Sequence, residues 1–293
     1  MRLTRPLLAA LLLTPALACE RFKSSQTADQ GADSTKAVAA APVLPPDADH
    51  AVSVLNASPR HGQFVMIPNG TGDSLRAWIV YPARSTKAPV VVVVHEIFGM
   101  SDWIRAAADR IAAEGYIAIV PDLLSKQKLP GAPDSVSMQA GMAAVSKLNP
   151  NEVLREIKET ATYATGLPSA LPKYGVVGFC WGGGVAFNFA AHSPDVSAVV
   201  VYYGESPKLE LLSKVSAPVL GLYGQNDERV VADVPPTDSA MQTMKKTYTY
   251  HIYDGAEHGF MRMQNGTADG SNLKASQQAW PATISWLHKY LGT

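Results

Sequence analysis

Lys173-Tyr174-Gly175-Val176-Val177-Gly178-Phe179-Cys180-Trp181-Gly182-Gly183-Gly184 carries an apolar run through a glycine-flanked cysteine and on into the small-residue stretch Val185 to Ala191. The pattern predicts a buried strand, a sharp bend and a helix, with Cys180 on the bend. A Gly-x-nucleophile-x-Gly bend between strand and helix is a nucleophile elbow. Glycines flanking the turn let a side chain sit on a strained backbone without clashing. Cysteine here occupies the nucleophile position, where serine is commoner.

Working outward from the elbow, the rest of the chain alternates strand and helix signals. Gln63 to Ile67 and Leu75 to Tyr81 alternate apolar and polar residues, as an antiparallel opening pair does. Pro89 to His95 is continuously apolar up to its histidine, the mark of a strand covered on both faces. Ser101 to Glu114 predicts a helix with Ile104, Ala107, Ala108 and Ile111 on one face and Gly115 as its stop. Ile117 to Val120 is a short buried strand, and Asn149-Pro150 opens a helix with Val153, Leu154, Ile157, Ala161 and Ala164 aligned. Strands at Gly175 to Phe179, Ser197 to Tyr203, Pro218 to Tyr223 and Tyr248 to Tyr253 follow, and a helix from about Lys274 to Tyr290 ends the series. This alternation predicts an α/β fold: one domain, a mostly parallel central sheet flanked by helices, with functional residues beyond the carboxyl ends of the strands.

The 293 residues are 47% hydrophobic and 17% charged, with a formal net charge of +0. Such a chain can bury one sizeable core and has no bulk charge to attract nucleic acid, so no nucleic-acid partner is expected. Arg2 and Arg5 precede the apolar run Leu7 to Leu13 and then Ala16-Leu17-Ala18-Cys19. These are the regions of an export signal (1–18), too short to span a membrane. Ala-x-Ala fits ordinary cleavage, while the small residue before Cys19 resembles a lipoprotein box whose cysteine is lipidated. Residues 19–49, rich in Ser, Ala, Thr, Gln, Asp and Pro, predict a flexible tether ahead of a domain at 50–293. The expectation is therefore an exported, periplasmic protein, with outer-membrane anchoring through Cys19 as the lipoprotein reading. Only two cysteines are present, so removal or lipidation of Cys19 leaves Cys180 without a partner in a compartment where pairing is usual.

A nucleophilic Cys180 needs a base and the base an orienter. Asp254-Gly255-Ala256-Glu257-His258-Gly259-Phe260 follows the last strand, and Gly224-Gln225-Asn226-Asp227 follows the strand before it. The order nucleophile, acid, histidine is that of the α/β-hydrolase arrangement. Free cysteine is most often inert core and Asn-Asp pairs often mark plain turns, but the combined context favours Cys180, Asp227 and His258 as a triad. His95-Glu96 lacks the second histidine of a zinc-protease motif, and Gly182 to Gly184 lack the Gly-Lys-Ser/Thr of a phosphate loop. No metal or organic cofactor is expected.

Gly178-Phe179-Cys180-Trp181-Gly182-Gly183, His95-Glu96-Ile97-Phe98-Gly99, Tyr202-Tyr203-Gly204, Asp227 and His258-Gly259-Phe260 together resemble the dienelactone hydrolases, over about Gln63 to Leu291. The resemblance implies an α/β-hydrolase fold and a hydrolase in which Cys180 attacks a small ester or lactone carbonyl through a thioacyl-enzyme intermediate. In it His258 shuttles the proton, Asp227 orients the imidazole, and the backbone N–H groups of Ile97 and Trp181 form the oxyanion hole. It further implies that Glu96 interacts with the resting thiol, and that Arg262, Tyr203 and Phe260 bind substrate, Arg262 through a carboxylate. One departure stands out. A second substrate-binding arginine, with an accompanying tyrosine, belongs between Asp122 and Asn149, where the only cations are Lys126, Lys128 and Lys147. A rival expectation is a non-hydrolytic envelope protein binding a small carboxylate or a partner on the same scaffold. A monomer is expected in either case.

Overall fold

The computed structural model describes residues 42–68, 72–127, 129 and 136–292. The chain divides into two units, Met1–Ala40 and Ala41–Thr293, and all described residues belong to the second. The expected export signal, Cys19 and the tether up to residue 41 lie outside the described residues.

The described chain begins with helix α1 (Ala51–Ala57), then β1 (Gln63–Pro68), β2 (Ser74–Val80), β3 (Ala88–Val94), α2 (Asp102–Ala113), β4 (Ile117–Pro121), α3 (Met138–Val145) and α4 (Pro150–Thr165). The second half holds β5 (Ala170–Phe179), α5 (Trp181–Ala190), β6 (Ala198–Tyr202), β7 (Val219–Gly224), α6 (Glu228–Val231), α7 (Val234–Thr243), β8 (Tyr248–Tyr253) and α8 (Ser271–Leu291), with a 3-10 turn at Leu209–Lys214. The eight strands form one sheet in the order β1-β2-β4-β3-β5-β6-β7-β8. Only the β1/β2 and β2/β4 pairs are antiparallel; the others are parallel. This is the expected α/β-hydrolase architecture.

The unbroken valines of β3 explain why helices must cover both faces. Successive strand residues point to opposite sides. Val91 and Val93 accordingly enter the core beneath α2 and α8, while Val90, Val92 and Val94 enter the one beneath α4 and α5. Local caps set the helix starts: the Ser101 side chain accepts from Ile104 N ahead of α2, and Asn149 accepts from Asn151 N ahead of α4, with Pro150 pre-set at its first turn. From β3 the chain adds β4 on one side and later β5 on the other, so β3 and β5 meet where the strand order reverses. Ligands bind outside the carboxyl ends of strands at such a switch point.

The tether boundary differs from expectation. Its last residues, up to Asp49, are packed on the domain. Pro46 O accepts from Trp103 Nε1 at 2.9 Å, Pro45 O from Gln264 Nε2 at 2.9 Å, and Ala48 N donates to Arg262 O at 2.9 Å. Leu44 and Ala48 also pack against the core. These contacts reach residues more than fifty positions away, and composition alone could not reveal them.

Candidate active site

Cys180 closes β5 and caps α5 with φ 56° and ψ −121°. A non-glycine residue held there costs on the order of 1–3 kcal/mol, which the surrounding packing must overcome. The glycines on either side serve close approach rather than unusual dihedrals. A Cβ on Gly178 would stand 2.0 Å from Gly182 O, and one on Gly182 would stand 2.4 Å from both Val94 O and His95 O. Cys180 N donates to Tyr202 O at 3.0 Å, tying the bend to β6.

Three loops bring the triad together. His258 Nε2 is 3.0 Å from Cys180 Sγ, and His258 Nδ1 donates to Asp227 Oδ2 at 2.5 Å. The Asp227 and His258 loops are clipped to each other: Asn226 N donates to Ala256 O at 2.9 Å, and Gly255 N to Gln225 Oε1 at 2.9 Å. Burial alone would disfavour an imidazolium at His258, but the hydrogen bonds to Asp227 and Cys180 outweigh it and push the pKa up to about 10.

Glu96 and Ile97 follow β3. Glu96 is buried, and desolvation pushes its carboxyl up to about 7 against the opposing pull of Arg262 and His258. Its Oε2 lies 3.5 Å from Arg262 Nε, and that guanidinium sits over the Phe98 ring at 4.6 Å. Among the described residues no hydrogen bond joins Glu96 to the thiol: Sγ is paired with His258, and Glu96 lies beside Arg262. Among the described residues, the backbone N–H groups of Ile97 and Trp181 meet no backbone carbonyl. Trp181 N opens α5, where helix N–H groups have no partner within the helix.

A cavity of about 1040 Å³ opens over these groups, and its walls include Glu96, Ile97, Cys180, Trp181, Tyr203, His258 and Arg262. Tyr203, with φ 38°, is fully buried, meets the His258 ring edge-on at 5.1 Å, and its hydroxyl has no hydrogen-bond partner among the described residues. Phe260 does not line the cavity. It is buried in the core behind Tyr203, 5.2 Å away edge-on, because the turn after His258 directs it inward. The expected substrate contact of Phe260 is therefore corrected to packing support for Tyr203.

Sequence reasoning missed two supports. His95 is neutral by burial; its Nδ1 donates to Glu96 O at 2.7 Å and its Nε2 accepts from Leu123 N at 3.1 Å, fixing the path of the loop after β3. Asn272, fully buried, accepts from Glu257 N at 2.9 Å and donates to Met263 O at 2.9 Å, bracketing the histidine loop. A histidine ending a valine strand was the one available signal; Asn272 had none. Among the described residues no group of three or more His, Cys, Asp or Glu side chains converges as a metal site.

The family model described as the dienelactone hydrolase family matches residues 75–291. The chain is 31% identical over 243 residues to a provisionally named carboxymethylenebutenolidase of Escherichia coli K12, covering 78% of this chain and 87% of that relative. It is 30% identical over 238 residues to another from Methylorubrum extorquens, covering 77% and 80%. The crystal structure of a provisionally named dienelactone hydrolase from Klebsiella pneumoniae superposes with a TM-score of 0.70 at 29% identity, covering 79% of this chain and 99% of that one.

Proposed function

Because the chain belongs to the dienelactone hydrolase family and is a hydrolase, we propose that it cleaves a small carboxylic ester or lactone with Cys180, His258 and Asp227 as a catalytic triad. The observation that carries this reading is the continuous relay from Sγ through the imidazole to the Asp227 carboxylate, whose Cys180 and His258 line one cavity.

His258 Nε2 takes the thiol proton as Cys180 attacks, so that the thiolate, the reactive form, is the attacking group. Sγ attacks the carbonyl carbon, and the carbonyl electron pair moves onto oxygen, where the N–H groups of Ile97 and Trp181 receive it. Each such donor is commonly worth a factor of about 10²–10³ in turnover. Collapse breaks the ester C–O bond, Nε2 protonates the departing alkoxide, and a thioacyl-enzyme remains. Nε2 then takes a proton from water, the hydroxide adds to the thioester, and the second collapse releases the acid and returns the proton to Sγ. Asp227 holds the imidazole in orientation and favours its charged form.

The test is intact-mass spectrometry after brief mixing with activated esters and lactones, beside Cys180→Ala. An acyl increment that decays in water and is absent from the variant is expected. Turnover that survives in Cys180→Ala would sink the proposal, and loss of both adduct and turnover in the parent would favour the binding-protein alternative. Export with lipidation of Cys19 belongs to the same proposal; metabolic labelling with a fatty acid that left the protein unlabelled would remove the anchor.

A further inference from the structure

We infer that the cavity is built for an ester carrying an extended, uncharged apolar arm, held by Met138 and Met142 of α3 together with Val185, Leu211 and Met263. The inference rests on the hydrolase reading above and names its substrate class.

The stretch between Asp122 and Asn149, where the family resemblance placed a second carboxylate-binding arginine, instead contributes two thioethers. Met138 and Met142 lie one helical turn apart on α3, both line the cavity, and they are 61% and 58% exposed. The buried residues of this helix are Gly141 and Ala144, whereas Met138 and Met142 are left to the cavity. Contiguous exposed apolar surface marks a binding site more often than chance. Methionine suits a chain of variable shape because its unbranched thioether adapts to irregular apolar surfaces.

This wall is in fixed relation to the reacting atoms. α3 lies so close to the loop after β3 that a Cβ on Gly141 would stand 2.5 Å from Ile97 O. Val185 on α5 and Leu211 on the 3-10 turn continue the apolar lining, and Met263 follows the histidine loop. The cavity, at about 1040 Å³, reaches the top of the ~300–1,000 Å³ range of pockets that enclose drug-sized ligands.

Among the described residues, the arginine and lysine cations of the lining are Arg262, Arg229 and Lys208. Arg262 faces Glu96 and stacks on Phe98, and Arg229 is paired with Glu205. Lys126, in the stretch that lacks the arginine, is held by Glu156 at 3.0 Å and does not line the cavity. Among the described residues Lys208 is the lysine of the lining, and it is exposed. Along Met138, Met142, Val185, Leu211 and Met263 an uncharged chain meets carbon and sulfur.

The experiment uses the full chain with two ester series, one lengthening the acyl arm from acetate to hexanoate on a constant leaving group, the other lengthening the alcohol on a constant acyl group. Along at least one series kcat/KM is expected to rise about two- to fourfold per methylene, the factor set by burying a CH₂; which series rises identifies the arm. A carboxylate-terminated ester is expected to fall below its methyl-terminated counterpart of equal length. In Met138→Gln/Met142→Gln, near in size but polar, the gain per methylene should shrink towards one. A flat or falling dependence in both series, or a preference for the carboxylate-terminated ester, would overturn the inference. Calorimetric binding of the same esters to Cys180→Ala separates this from the hydrolase reading. Affinity rising with chain length supports the apolar wall even without turnover in the parent, and flat affinity refutes it whatever the turnover.

Discussion

Glu96→Gln should make the protein more resistant to unfolding in alkaline than in acidic solution, relative to the parent. The Glu96 carboxyl is raised from 4.5 to about 7 by burial, so the folded state binds its proton more tightly than the unfolded state does. Its contribution is therefore fully present below about pH 4.5 and is lost as pH rises through about 7. At about 1.4 kcal/mol per pKa unit, the fold gives up about 2.5 kcal/mol at this residue between pH 5 and pH 8.5. Glutamine cannot ionise and avoids that loss. It also leaves the Arg262 guanidinium without its carboxylate, but Arg262 stays charged across this range, so that cost is constant with pH. The variant-minus-parent stability should thus grow by about 2.5 kcal/mol from pH 5 to pH 8.5, or about 5–10 °C in Tm for a domain of this size. Urea denaturation of both proteins at several pH values measures it. A difference that stays constant within about 0.5 kcal/mol would refute the argument that burial controls this carboxyl.

Asp227→Asn should lower kcat by roughly 10⁴ with a small effect on KM, because an amide cannot hold the imidazolium or enforce its tautomer; steady-state kinetics showing less than a tenfold loss would remove Asp227 as orienter. Gly182→Ala places a methyl 2.4 Å from two backbone carbonyls at the end of β3, and should cost about 1–3 kcal/mol. An unchanged Tm would mean that α5 can move away from the strand freely. Gln264→Leu removes the donor to Pro45 O and Met261 O, a loss of about 1–3 kcal/mol if the acceptors stay buried. Faster amide exchange across residues 260–265 is expected, and unaltered exchange would show that residues 45–48 do not brace the histidine loop.

The parts of the molecule legible in advance were those encoded by neighbours in sequence. The valine run of β3, the Asn149-Pro150 start of α4 and the glycine-flanked Cys180 each carry their structure in a few adjacent residues, because strand pleat, helix cap and close approach are local demands. The order Cys180, Asp227, His258 was legible because each follows a recognisable strand. Residues 45–48 and Asn272 were not, since their partners lie far along the chain and their own side chains are ordinary. Nor could the sequence show that Phe260 turns into the core while Tyr203, next to the strand end of β6, stays at the cavity.

By itself, then, the sequence determined the α/β layering, the elbow and the identity of the three groups that form the relay. Periodicity and turn chemistry are written into consecutive residues, and they leave few ways to arrange the strands. Only the tertiary structure decided which groups face each other at the site. Glu96 meets Arg262, Phe260 turns into the core, and the two methionines of α3 line the cavity. Those pairings are set by the distances between loops on different strands, and distance in space is what a linear pattern does not carry.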